Sequence, residues 1–194
     1  MLKLSGINGV VIAATALAVS LVLAAGAPAG WYISGSKPAD YESGIDAQAQ
    51  YSAHPSAYLK SKAAEIDGFG TLMQNFRADQ YAGKRLRLKA FVKIEGVQEW
   101  AGLWMRVDKG RDVVAFDNMQ DRPIKGTSGW QQYSVVLDVP QDATGIFFGV
   151  LLRGSGSVWM NSVKLEPVGV EVPTTGSGTP QDRKHPTNLD FESQ

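Results

Sequence analysis

The chain has 194 residues, with 19 Lys+Arg against 19 Asp+Glu, hence no formal net charge, and no cysteine. That length suggests one domain with appendages, and 44% apolar with 9% aromatic residues is ample for a packed core, which excludes disorder as the class of the body. Balanced charge leaves no basic footprint for nucleic acid, and the missing thiols exclude disulfides, thiol catalysis and thiolate metal sites.

The first 29 residues carry one charged side chain, Lys3. Val10 to Ala25 is apolar apart from Thr15 and Ser20, and Ala24 to Ala29 is a run of small residues with one proline. A short cationic start, an apolar stretch and small residues form the grammar of a secretory signal. Cuts after Gly26 and after Ala29 both fit the small-x-small rule. Gly9 to Ala29 is also long enough to cross a bilayer as a helix, which takes about 20 residues. Residues 1–29 are therefore expected to form an apolar helix acting as a signal peptide or an uncleaved membrane anchor. Either places the body outside the cytoplasm.

Short strand candidates follow at Tyr41–Asp46, Ala57–Ser61 and Gly70–Phe76, while Lys60 to Ile66 has room for a helical turn at most. After the turn cluster Asp79–Gly83, Leu86, Leu88, Ala90, Val92 and Ile94 alternate with Arg85, Arg87, Lys89, Phe91 and Lys93. That period of two marks a strand with one buried face. Ala101, Leu103, Met105 and Val107 repeat the pattern against Trp100, Gly102, Trp104 and Arg106. Beyond the turn at Asp108–Gly110 come Val113–Phe116, a second turn cluster at Gly126–Gly129, and an alternating strand over Gln132–Val139. Ile146 to Leu152 is apolar at nearly every position, as for a strand covered on both sides. Gly154-Ser155-Gly156 is a hairpin turn leading into Val158–Leu165. Many short strands with turn signals at short intervals predict an antiparallel β-sandwich over residues 30–168. Residues 169–187, rich in Pro, Gly, Thr and Ser, read as an extended linker. Residues 188–194 hold Leu189 and Phe191 in alternation and read as a short returning strand.

Several segments resemble the galactose-binding-like β-sandwich, the jelly-roll of many carbohydrate-binding modules. These are Gly83–Leu88 leading into a long strand, Gly126–Tyr133 leading into Val135–Pro140, and Gly156-Ser157-Val158-Trp159-Met160-Asn161. Asn161 stands where the family usually has Asp. The chain is also similar to small bacterial proteins with a Gly-Trp start, the segment Gly68–Gln74 and the text Phe116–Gln120. Some of these carry a transcription-regulator label, although no helix-turn-helix pattern is found. In sandwiches of this type, text like Asn188–Glu192 usually forms the first strand. Its position at the end implies a strand supplied from the C-terminus or traded with a neighbouring copy, which is a route to a homo-oligomer.

Chemistry is expected on the outward face of the strand from Trp100 to Asp108. Trp100 and Trp104 offer stacking surfaces, Arg106 and Asp108 bond hydroxyls, and Gly102 between the tryptophans would leave room for a ligand. The alternative is that a loop covers this face and Arg106 forms a structural ion pair with Asp108 or Asp117. The loop Phe116–Pro123 adds Asp117, Asn118, Gln120 and Arg122 as ligand-binding candidates, or is a turn rich in Asx caps. Asp117, Asn118 and Asp121 also have calcium-type oxygens, but the EF-hand spacing is absent and no metal is assigned. Gln74 is a weaker candidate of the same kind. Neither His54 nor His185 sits in a metal or triad pattern, so no catalytic residue and no cofactor is assigned. The expected function is a non-catalytic module for a carbohydrate or similar polar ligand. The alternative is a structural or assembly protein that pairs with itself or with a protein partner.

Overall fold

A computed structural model describes residues 26–178. Most of the apolar N-terminal segment and the whole of the expected strand at residues 188–194 lie outside the described residues. Within them no helix is long and apolar enough to cross a membrane.

The described residues form ten antiparallel strands: β1 Tyr32–Gly35, β2 Tyr41–Tyr51, β3 His54–Ser61, β4 Phe69–Arg77, β5 Arg85–Lys109, β6 Asp112–Asp117, β7 Ile124–Asp138, β8 Gly145–Arg153, β9 Ser157–Val168 and β10 Ser177–Gly178. The strands expected within the described residues are present, most of them longer than their alternation suggests. The turn cluster read at Gly126–Gly129 instead lies inside β7, where Gly126 takes a positive φ of 74° and the register against β5 shifts. A glycine in that region bends a strand as readily as it ends one.

β5 organises the molecule. The two alternating stretches of sequence form one strand of 25 residues, with register shifts between Val92 and Ala101. Its first half pairs with β7 on one side and β9 on the other, and its second half pairs with β8 and β6. Two layers result. The first runs β7-β5-β9-β3-β2 and the second runs β1-β4-β8-β5-β6-β10. Curling at the middle of β5 brings the layers together around one core. Leu86, Leu88, Val92, Leu103, Met105, Val135, Leu137, Ile146, Phe148 and Val158 all belong to it.

Local polar contacts hold the ends of this sandwich. The Asn161 side-chain amide donates to the Pro55 carbonyl at 3.0 Å and to Ser56 Oγ at 2.9 Å, so the amide anchors the start of β3. Residues 169–178, at the start of the stretch read as a linker, form a strap along the sandwich. Arg85 Nη1 donates to the carbonyls of Val170 and Val172, and the backbone N–H of Thr175 donates to the Val136 carbonyl at 2.9 Å. The strap then pairs with β6, opposite Phe116 and Ala115. Gly176 permits this path, because a Cβ there would stand 2.6 Å from the side chain of Leu137 and 2.9 Å from that of Asp117.

Candidate functional site

Alternation along a strand sends odd and even residues to opposite faces. In β5 the odd residues Ala101, Leu103, Met105 and Val107 enter the core, so Trp100, Trp104 and Arg106 face outward. β8 does the same with Phe147, Leu151 and Arg153, and β4 with Phe69, Thr71 and Met73. The apolar reading of Ile146–Leu152 as a strand covered on both sides is explained here. One side is the core, and the other builds a second cluster of Met73, Trp104 and Leu151 with Phe69, Trp100 and Phe147 packed against it.

This cluster floors a cleft of about 680 Å³ across the second layer. Tyr32 and Ser34 on β1 form one wall, and Phe116, Asn118 and Gln120 form the other. Tyr32 is 40% exposed and Phe116 39%, so two open aromatic faces stand on opposite rims. Trp100 is half-buried at the end of the cleft where it pairs with Arg153.

The sequence-predicted residues divide into three sets. Trp100, Trp104, Arg106, Asn118 and Gln120 line the cleft. Their roles differ from expectation in two respects. Trp104 is only 7% exposed, and its indole N–H donates to Thr71 Oγ1 at 2.6 Å, so it is floor rather than an open stacking plate. Gly102 does not leave room for a ligand. A Cβ there would lie 2.9 Å from the Asn118 carbonyl and 3.0 Å from Met119 Cβ, so the missing side chain lets the Asn118–Met119 loop sit down on β5.

Asp108, Asp117 and Arg122 form the second set, and they brace rather than line. Asp108 pairs with Arg106 at 2.9 Å, which is the ion pair weighed as the alternative for that arginine. The Arg106 guanidinium also lies 4.2 Å from the Phe147 ring centre, a cation–π contact. Asp117 is buried. Its carboxylate accepts from Arg122 Nη2 at 2.5 Å, from the backbone N–H of Met119 at 2.8 Å and from the Thr175 hydroxyl at 2.5 Å. One carboxylate thus clamps the cleft-rim loop to the strap, and Met119 is held at φ 62° inside that clamp. The Asx-cap reading of the loop describes it well, since Asn118 Oδ1 also accepts from the Gln120 N–H. Gln74 stands apart as the third set. It alternates with the cleft residues of β4, on the same side as core Leu72, and its amide lies near Gly30.

Tyr32, Phe69, Thr71, Phe116, Phe147 and Arg153 were not among the sequence candidates. The Phe147/Leu151/Arg153 alternation within an apolar strand was the available signal. Nothing in the sequence marks Tyr32, because β1 is only four residues long. Arg153 reaches the cleft at the end near Trp100, its register partner, and its Nε donates to Glu99 at 2.6 Å. Among the described residues no cluster of His, Cys, Asp and Glu is arranged to hold a metal ion.

No family model matches the chain. It is 49% identical over 168 residues to the uncharacterized HTH-type transcriptional regulator YbfP of Bacillus subtilis (strain 168); the match takes in 85% of this chain, which spans 57% of that protein's length. In structure it is similar to the CBM22-1 xylan-binding domain of Paenibacillus barcinonensis Xyn10C, with a TM-score of 0.52 and 12% identity over 75% of this chain and 90% of that one. It is also similar to the CBM22-1–GH10 modules of Clostridium thermocellum Xyn10B, with a TM-score of 0.51 and 14% identity over 72% of this chain and 26% of that one. At these identities the likeness concerns the fold alone. The chain has the galactose-binding-like β-sandwich fold of carbohydrate-binding modules.

Proposed function

We propose that the domain is a non-catalytic module that binds a carbohydrate in the cleft of the second layer. The observation that carries this reading is the wall chemistry. Partly open aromatic faces on Tyr32, Trp100 and Phe116 stand beside the amides of Asn118 and Gln120 and the guanidinium of Arg106, over a mostly apolar floor. Sugar rings present apolar faces and hydroxyl edges, and sites for them pair aromatic walls with a few fixed polar groups. Similarity of fold to a xylan-binding domain supports the same reading. A glycan array with the wild-type domain and Trp100→Ala tests it: binding to at least one glycan class, lost in the variant with the fold intact, is expected. No binding to any glycan overturns it. The apolar start of the chain supports a position outside the cytoplasm, and a fusion of residues 1–35 to a reporter active only there tests that separately.

The similarity to YbfP favours a second reading, in which the sandwich is the ligand-sensing part of a regulator. The name assigns that protein a helix-turn-helix, while the described residues here contain no α-helix. The shared region would then sense and the remainder of such a protein would bind DNA. Both readings use the same cleft, and they part on whether ligand binding alters DNA binding by the longer relative.

A further inference from the structure

Charge in the cleft is one-sided. Among the described residues two charged ones line it, Arg106 and Arg153, and no carboxylate does. The chain as a whole is balanced, so composition does not produce this pattern. The acids that hold the two arginines lie beside them, outside the cleft lining. Asp108 sits 2.9 Å from Arg106, and Glu99 accepts from Arg153 Nε at 2.6 Å, with Asp67 3.9 Å from its Nη2; none of the three lines the cleft. Each arginine is thus held by an acid while its own side chain lines the cleft. Arg106 engages Asp108 through Nε and Nη2 and Arg153 engages Glu99 through Nε, and the two arginine side chains are still 34% and 41% exposed.

Register sets the spacing. Arg153 is opposite Trp100 and Arg106 is opposite Phe147, so the two arginines stand at the two ends of the paired β5–β8 stretch that floors the cleft. Six residues of strand separate the ends, roughly 20 Å. Both cations are arginine, whose planar fork matches a carboxylate in two parallel hydrogen bonds. Neutral hydroxyls require no such matched pair at both ends.

Resting on the carbohydrate reading above, we propose that the cleft takes an acidic oligosaccharide, one bearing uronate carboxylates. One carboxylate meets Arg106 beside Phe147 and another meets Arg153 beside Trp100, with the intervening rings over Trp104 and Leu151.

The test is calorimetric titration of the domain with oligogalacturonate and with neutral galacto-oligosaccharide of the same length. At least tenfold tighter binding of the acidic chain is expected, with that preference shrinking as salt rises from about 0.05 to 0.5 M because screening lengths fall over this range. In Arg106→Gln/Arg153→Gln the acidic-to-neutral ratio should collapse towards one. Arg106→Lys keeps the charge next to Asp108 but loses the fork. It should give an intermediate ratio, with a melting temperature that shows the fold is intact. Equal or better binding of the neutral chain overturns this proposal and leaves the carbohydrate reading standing. A preference that survives loss of both arginines also overturns it. Binding of neither chain overturns this proposal, and if no other glycan binds on the array it overturns the carbohydrate reading as well.

Discussion

The outward faces of the two layers use the same residue types and differ in what those residues have left to offer. On the first layer Tyr51 stacks on Phe91 at 4.0 Å between ring centres, and Trp130 lies 5.7 Å from Tyr51. Trp159 donates its N–H to Asp46 and has Lys60 and Lys93 over its ring at 4.9 and 4.8 Å. Glu166 draws in Arg87, Lys89 and Lys164. Those groups are engaged with one another. On the second layer β1 and the Asn118–Gln120 loop rise above the sheet, and the rings of Tyr32 and Phe116 face open space. Aromatic content does not separate a binding face from a self-satisfied one. The walls raised around the cleft do.

The largest expected effect tests whether the faces are independent. They share one core, so Leu103→Ala, at a fully buried position, should cost about 2–5 kcal/mol. Denaturant unfolding followed by tryptophan fluorescence should show one transition. Two transitions would mean that the layers fold separately and that the shared core is not what unites them.

Asp117→Asn comes next. It leaves Arg122 without its buried partner and weakens the hold on Thr175, at a cost of roughly 3 kcal/mol in chemical denaturation. Cleft affinity should fall along with stability, since the same carboxylate holds the loop bearing Asn118 and Gln120. Unchanged affinity would show that the rim loop is not part of the binding face.

A sharper contrast comes from the two cleft tryptophans. Trp104→Ala removes a buried ring and should cost about 3–5 kcal/mol. Trp100→Ala, at a half-buried position, should lower the melting temperature far less while weakening glycan binding at least tenfold, or about 1.4 kcal/mol. If Trp100→Ala destabilises as much as Trp104→Ala, both are scaffolding and the first and second layers do not differ.

The smallest effect belongs to the first layer. Lys89 and Arg87 hold the Glu166 carboxyl down at about 2. Its folded pKa lies below the unfolded value near 4.3. The associated stability is therefore complete above that value and is lost as pH falls through about 2. Thermal melts between pH 5 and pH 2 should decline less steeply for Glu166→Gln than for wild type. Identical slopes would show that the cluster contributes nothing.

Much of this architecture was legible because alternation reports burial directly. Leu86 to Ile94 and Ala101 to Val107 identify their core faces without help from any other part of the chain. The continuity of β5 was hidden, because Glu95 to Glu99 interrupts the alternation where the strand curls from one layer to the other. At the site, the sequence names the outward face of β5 and the polar loop. It does not show that Asp117 points inwards to a strap nearly 60 positions away, that Thr71 takes the Trp104 N–H, or that Tyr32 forms a wall. Those are long-range pairings, and no local pattern encodes them. Gly102 illustrates the difference: the small residue did signal a close approach, but of the chain itself.

The reach of β5 across both layers has a kinetic consequence. All four strands that pair with it, β6 to β9, come later in the chain, the last ending at Val168. During synthesis its 25 residues emerge before any of their hydrogen-bonding partners, with an apolar face on each half and two unpaired edges. Folding dominated by such distant pairings is slow, and unpaired edges invite association between chains. Dilution or a holding chaperone should therefore raise refolding yield more for this domain than its size alone suggests.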